Sequence, residues 1–193
     1  MKAYFQKLLQ ILEHSLMSID DERFTALIDD CEATLRGGGK IITSGLGKNV
    51  PVCEKFVGTM TSMGMASAFM NTNSAVHGDL GLVRENDLVI LLTKSGETAE
   101  SIYLYRLLLE RGCKIWLLTF RKGSTLSNAM DTVIYVDLEH EGDQWNIVPN
   151  NSTTLNLILL QMLSIRLSKR MQISLDEFRR NHPGGYIGEI LNG

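Results

Sequence analysis

Asp87-Leu88-Val89-Ile90-Leu91-Leu92-Thr93-Lys94-Ser95-Gly96-Glu97-Thr98 runs from an apolar segment into a loop of hydroxyls around one glycine. Residues 88–92 read as a buried strand, and a helical pattern begins near Ala99. The loop therefore sits where a strand feeds a helix, the place at which an open α/β sheet offers free backbone N–H groups and a positive helix end to an anion. Ser95, Gly96, Glu97 and Thr98 are candidate phosphate contacts. An ordinary turn with a capping serine fits the same residues, so the rest of the chain has to decide.

Outward from this loop the same rhythm repeats. Apolar segments at 40–44, 66–70, 88–92, 114–119 and 132–136 alternate with helical patterns at 52–63, 99–111 and 125–129. Strand, helix, strand in this order predicts βαβ units and a parallel sheet. Right-handed crossovers then give an α/β three-layer sandwich of five strands in flavodoxin-like order. Two amphipathic helices precede it. Phe5, Leu8, Leu9, Leu12 and Leu16 mark one apolar face, and Phe24, Leu27, Ile28, Cys31 and Leu35 the other. The expected organisation is one domain over 1–193, with N-terminal helices in 1–36 and the α/β core and C-terminal tail in 37–193. A long helix over about 152–170 is apolar around nearly its whole circumference, which predicts cover by a second subunit. Residues 174–180 read as a short final helix, broken by His182-Pro183-Gly184-Gly185.

Composition narrows the function class. The chain has 193 residues, enough for one well-buried domain, and 44% of them are hydrophobic. Lys and Arg number 19 against 22 Asp and Glu, a net charge of −3 with no basic block, so nucleic acid is not an expected partner. No apolar run reaches the ~20 residues of a membrane span, and no signal pattern opens the chain. Cys31, Cys53 and Cys113 show no ligand spacing and read as reduced, buried cysteines of a cytoplasmic protein. No histidine pair has metal-ligand spacing, so neither a metal nor a cofactor is expected.

Other segments carry candidate chemistry. Ser44-Gly45-Leu46-Gly47-Lys48 follows the first strand. It lacks the third glycine of a dinucleotide fingerprint and the upstream glycine of a Walker A loop. A lysine at a helix start opposes the helix dipole, which hints that Lys48 faces an anion. Asn151-Ser152-Thr153-Thr154 opens the long helix as a further anion-ready start. Glu100 lies just past the opening loop, His140 and Glu141 in a polar segment over 139–151, and His77 in the loop after the second strand.

In this order and spacing the pieces resemble the sugar isomerase (SIS) domain family, and within it most closely the arabinose 5-phosphate isomerases. The resemblance is carried by Gly45-Leu46-Gly47-Lys48, Ala75-Val76-His77-Gly78-Asp79-Leu80-Gly81, Ser95-Gly96-Glu97-Thr98-Ala99-Glu100, Ser152-Thr153-Thr154 and His182-Pro183-Gly184-Gly185. It implies metal-independent aldose–ketose isomerisation of a phosphosugar, arabinose 5-phosphate to or from ribulose 5-phosphate, in a homotetramer with sites at subunit contacts. It further implies a place in the supply of Kdo for lipopolysaccharide or capsule. The family's catalytic lysine falls on Lys48, its glutamates on Glu100 and Glu141, and its C-terminal histidine on His182. Ser44, Gly45, Gly47, His77, Ser95, Gly96, Glu97, Thr98, Ser152 and Thr153 fall at substrate-binding positions, and His77 can reach a neighbour's site. Three departures stand out: Lys94 where many relatives carry Asn, Asn49-Val50-Pro51 after the lysine, and an end at Gly193 where many relatives continue into CBS domains, so that nucleotide regulation through them is expected to be absent.

The chemistry suits these groups. Moving a proton between C1 and C2 through a cis-enediolate needs a base, a hydroxyl-proton shuttle and a cation or donors for the oxyanion. One of Glu100 and Glu141 is expected to be the base, with Lys48 stabilising the oxyanion or phosphate and His182 assisting ring opening. Replacing either glutamate with Gln is expected to lower turnover by about 10²–10⁴-fold and spare the fold. A non-catalytic phosphosugar sensor and an isomerase of another phosphosugar are the alternatives.

Overall fold

A computed structural model describes residues 1–192. Helices α1 (Lys2–Met17) and α2 (Asp21–Arg36) lead into β1 (Ile41–Gly45), α3 (Asn49–Ser62) and β2 (Ser67–Asn71). Two 3₁₀ turns follow, Ala75–His77 and Asp79–Leu82, then β3 (Leu88–Thr93), α4 (Ala99–Glu110), β4 (Lys114–Thr119), α5 (Thr125–Ala129) and β5 (Val133–Tyr135). The chain continues through α6 (Asn151–Arg170), α7 (Leu175–Arg180) and α8 (Gly185–Asn192). The five strands form one parallel sheet in the order β2-β1-β3-β4-β5. This is the expected flavodoxin-like sandwich, and its switch point lies between β1 and β3.

Alternation along the strands builds the two cores. Ile41, Leu88, Ile90, Leu92, Trp116 and Leu118 face α2, α3 and α6. Ile42, Val89, Leu91, Ile115 and Leu117 face α4 and α5. The three cysteines are all buried and free. Burial pushes the Cys53 thiol up to about 12 and that of Cys113 to about 11, so neither is a thiolate at neutral pH.

Two local expectations, for α1 and for the C-terminal segment, need correction. The buried face of α1 is Ile11 and Ser15 with Leu8, Leu12 and Leu16 half-buried, while Phe5 and Leu9 point outward at 51% and 64% exposure. The apolar stripe was wide enough for two faces, and contact with α6 selects one. On α6, Leu155, Leu159, Leu160, Leu163 and Leu167 are buried, while Met162 and Ile165 remain exposed. Finally, Ser174–Arg180 does not end the helices. His182 to Gly184 interrupts the chain, and α8 follows with Tyr186, Ile187 and Ile190 exposed. Among the described residues no helix is long and apolar enough to cross a membrane.

Candidate active site

The C-terminal ends of β1 and β3 open onto a cleft of about 560 Å³ at the switch point. Its walls are three helix starts. Gly47, Lys48 and Asn49 come from the entry to α3, Thr98 and Ser101 from the start of α4, and Ser152 and Thr153 from the first turn of α6. Lys94 and Ser95 come from the loop between β3 and α4, and Phe120 closes one side. Each helix start contributes a partial positive charge, and two lysines add full ones. No ion-pair partner is found for Lys48 among the described residues, whereas Lys94 has one. An anion is the ligand this electrostatic setting favours.

The opening loop is rigid because the β4–α5 segment braces it. Gly96 adopts φ +65°, and a Cβ there would lie 2.1 Å from Ser124 Oγ, so only glycine fits. The Gly96 N–H donates to Thr93 Oγ1 at 3.2 Å, and its carbonyl accepts from the Leu126 N–H. Glu97 turns away from the cleft: its carboxylate accepts from the Thr125 hydroxyl at 2.7 Å and the Thr125 N–H at 3.1 Å. Those bonds, the hydroxyl's first, hold Glu97 below the usual carboxylate range. Glu97 is thus a brace for the loop, not a lining group.

Ser44 and Gly45 also support the cleft from behind. Ser44 is buried and shares a 2.9 Å hydrogen bond with Thr72 Oγ1. A Cβ at Gly45 would meet the Cβ of Asn49 at 2.8 Å, so this glycine lets α3 start close to the sheet. The unusual Asn49-Val50-Pro51 then finds a reason. Asn49 Oδ1 accepts from Asn156 Nδ2 at 3.0 Å, tying α3 to α6 across the cleft floor. Pro51 sits in the first turn of α3, where an N–H has no helical partner to lose. Asn156 was missed by the sequence reading; a polar residue in an otherwise apolar stretch of α6 is the signal that points to it.

Glu141 is fully buried immediately behind Ser152. One carboxylate oxygen accepts from the Ser152 hydroxyl at 2.7 Å and from Lys94 Nζ at 2.6 Å. The other accepts from the N–H groups of Ser152 at 2.9 Å and Asn150 at 3.1 Å. Burial opposes its charge, but the bonds from Lys94 and Ser152 outweigh it and hold the pKa below its ordinary value. The carboxylate therefore caps α6 and fixes Ser152 in the cleft wall. Lys94, whose purpose was unexplained by sequence, is its counterion. The polar segment over 139–151 is well bonded: Asp143 accepts from the N–H groups of Trp145, Ile147 and Val148.

Three expected site residues lie elsewhere on the chain. Glu100 is exposed in the first turn of α4 and does not line the cleft. His77 is exposed at the end of a 3₁₀ turn beyond edge strand β2. His182 stacks on Phe178 at 4.1 Å, and neighbouring Asn181 donates to the carbonyl of Ser62 at the far end of α3. With 14 residues, α3 separates that end from Lys48 by roughly 21 Å.

A doubly wound parallel sheet with a cationic cleft at its switch point defines an α/β protein whose cleft favours an anion. The chain belongs to the SIS domain family, which matches residues 34–166. It is 35% identical over 183 residues to the arabinose 5-phosphate isomerase KpsF of Escherichia coli, covering 95% of this chain and 56% of the relative. With the arabinose 5-phosphate isomerase KdsD of Pseudomonas aeruginosa it shares 33% identity over 161 residues, 83% of this chain and 49% of the relative. The chain spans about half the length of the curated relatives it matches. Among solved structures it resembles c3406 of Escherichia coli CFT073 in complex with arabinose 5-phosphate, with a TM-score of 0.86, 29% identity, and coverage of 94% of this chain and 95% of that one.

Proposed function

We propose that this chain is an aldose–ketose isomerase interconverting arabinose 5-phosphate and ribulose 5-phosphate. The observation that carries this reading is the switch-point cleft, where three helix starts, Lys48 and Lys94 meet. The phosphate is held by Ser95, Thr98, Ser152 and Thr153 with the helix N–H groups. Lys48 stabilises the oxyanion of the cis-enediolate or the phosphate itself. One of Glu100 and Glu141 moves the carbon-bound proton, and His182 assists ring opening. The relatives named arabinose 5-phosphate isomerase support this choice of substrate, and the reaction feeds Kdo synthesis in the cytoplasm. Incubating the purified chain with arabinose 5-phosphate should produce ribulose 5-phosphate. Binding without turnover would instead favour a phosphosugar sensor, which the same cleft could serve.

The active unit in this reading is a homotetramer. In one chain His182 lies near the end of α3 opposite Lys48, a helix roughly 21 Å long, so in this reading another copy brings it to the cleft, and His77 is exposed enough to be shared in the same way. The exposed apolar groups Met162, Ile165, Ile187 and Ile190 give such an assembly surface to bury. Mixing inactive Lys48→Met and His182→Gln chains should then restore activity, because some mixed sites receive both native groups. Failure to complement, with both variants folded and exchanging subunits, would place His182 outside the site.

A further inference from the structure

Glu141 and Lys94 raise a question that the isomerase reading leaves open. A carboxylate that accepts four donors, one of them a cation, is a poor proton acceptor. Yet Glu141 sits one hydroxyl away from the cleft, through Ser152. Its counterion differs from it in freedom. The Glu141 side chain is 0% exposed, whereas that of Lys94 is 43% exposed and lines the cleft. Of the two partners, only the lysine has room to move.

We propose that Lys94 is a shared cation: it pairs with Glu141 in the structure and is drawn onto the phosphate group of an incoming phosphosugar, leaving Glu141 able to accept a proton beside the cleft. Lys94 is thereby a positioning residue that couples phosphate binding to the competence of Glu141. The inference rests on the phosphosugar reading and adds a mechanism to it. A phosphate among three helix starts offers a flexible ammonium a second anionic partner. The lysine's move costs Glu141 the one direct cation it has among the described residues, while Ser152 and the backbone donors keep the carboxylate in place. The proton that Glu141 then accepts, directly or through the Ser152 hydroxyl, returns to the substrate at the end of the turn, so nothing is consumed.

The other charged groups near Glu141 do not replace Lys94. His140 and Asp143 belong to its own segment, and Asp143 is occupied by backbone N–H groups. Lys7 of α1 lines a separate cavity with His140 and Asp143. The start of α6 presents no charged side chain, and Lys48 lies in the cleft wall beside α3.

The test titrates Glu141 directly, by NMR of the full chain labelled with ¹³C at the glutamate carboxyl, with the signal assigned through Glu141→Asp. Sulfate serves as the probe, because it remains a tetrahedral dianion throughout the range in which glutamates titrate. In the native chain, saturating sulfate should raise the Glu141 midpoint by about 1–3 pH units. In Lys94→Met the midpoint should already be raised and respond little to sulfate, and Lys94→Arg should restore the native behaviour. Loss of sulfate binding in Lys94→Met alone also supports the exchange, since it shows the anion engaging that lysine. The proposal is overturned if bound sulfate leaves the native midpoint in place. It is equally overturned if sulfate raises the midpoint as much in Lys94→Met, because that is plain repulsion between anions. Turnover of arabinose 5-phosphate without a midpoint change rejects only this inference. A midpoint change without turnover rejects only the isomerase reading.

Discussion

Lys48→Met is expected to lower kcat/KM for arabinose 5-phosphate by about 10²–10³-fold, the range seen when one donor to a developing oxyanion is removed. The position is informative because the fold gains little from the lysine. Lys48 is the N-cap of α3 and makes no capping bond with its side chain. A cation at a helix N-terminus opposes the macrodipole, at a cost of about 0.3–1 kcal/mol. The variant should therefore melt at the native temperature or slightly above it while losing turnover. That combination separates a functional group from a structural one. Lys48→Arg should recover part of the rate, since the charge is kept but the point-like ammonium is replaced by a larger planar group. A Lys48→Met chain that turns over normally would remove the lysine from the mechanism. If Lys48 serves the phosphate more than the oxyanion, the loss should fall mainly on KM. If it serves the enediolate, it should fall mainly on kcat.

The opening segment shows how far local sequence can be read. Residues 88–92 are short, apolar and bounded by a polar loop, and β3 lies within a residue of where the pattern puts it. The strand order follows from five such segments with helices between most of them, because right-handed crossovers leave few ways to wind a parallel sheet. Gly96 reads in the sequence only as a candidate phosphate contact; its close approach to Ser124 at the start of α5 is not legible there. Nor are the partners of Glu97 and Lys94. Both side chains belong to a motif that suggests ligand contact, and both are committed to residues distant in sequence, Thr125 and Glu141. Such pairings depend on how the loops fold over the sheet, and no spacing rule encodes them. The orientation of α1 and the presence of α8 failed for a related reason. A stripe with apolar residues on two sides does not declare which side the neighbouring helix will cover. Pro183-Gly184 marks a break without saying whether a helix resumes after it. The location of His182 was not legible either: its motif is specific, but only the fold shows that the chain carries it to the far end of α3.

Glu141→Gln tests the role that the structure adds to this residue. As a catalytic carboxylate alone, it could be replaced by its amide without harm to the fold. As the cap of α6 it cannot. Gln presents an NH₂ group where one carboxylate oxygen accepts two donors, so either the Ser152 hydroxyl and Lys94 or the Ser152 and Asn150 N–H groups lose their acceptor in a fully buried place. Leaving buried donors unmatched and breaking a buried ion pair costs about 3 kcal/mol, the part-exposed Lys94 escaping to solvent. Chemical denaturation at neutral pH should show that loss beside the loss of turnover. The pH dependence gives an independent check. The folded pKa of Glu141 lies below its ordinary 4.5, so its ionised form contributes stability that is complete above that value. The contribution is lost as the pH falls through the lower folded value. The gap between native and Glu141→Gln chains should therefore be widest near neutrality and close on acidification. A gap that is constant down to the acid limit would mean that the variant is destabilised through packing rather than through the charge. A variant as stable as the native chain at neutral pH would return Glu141 to a purely catalytic role.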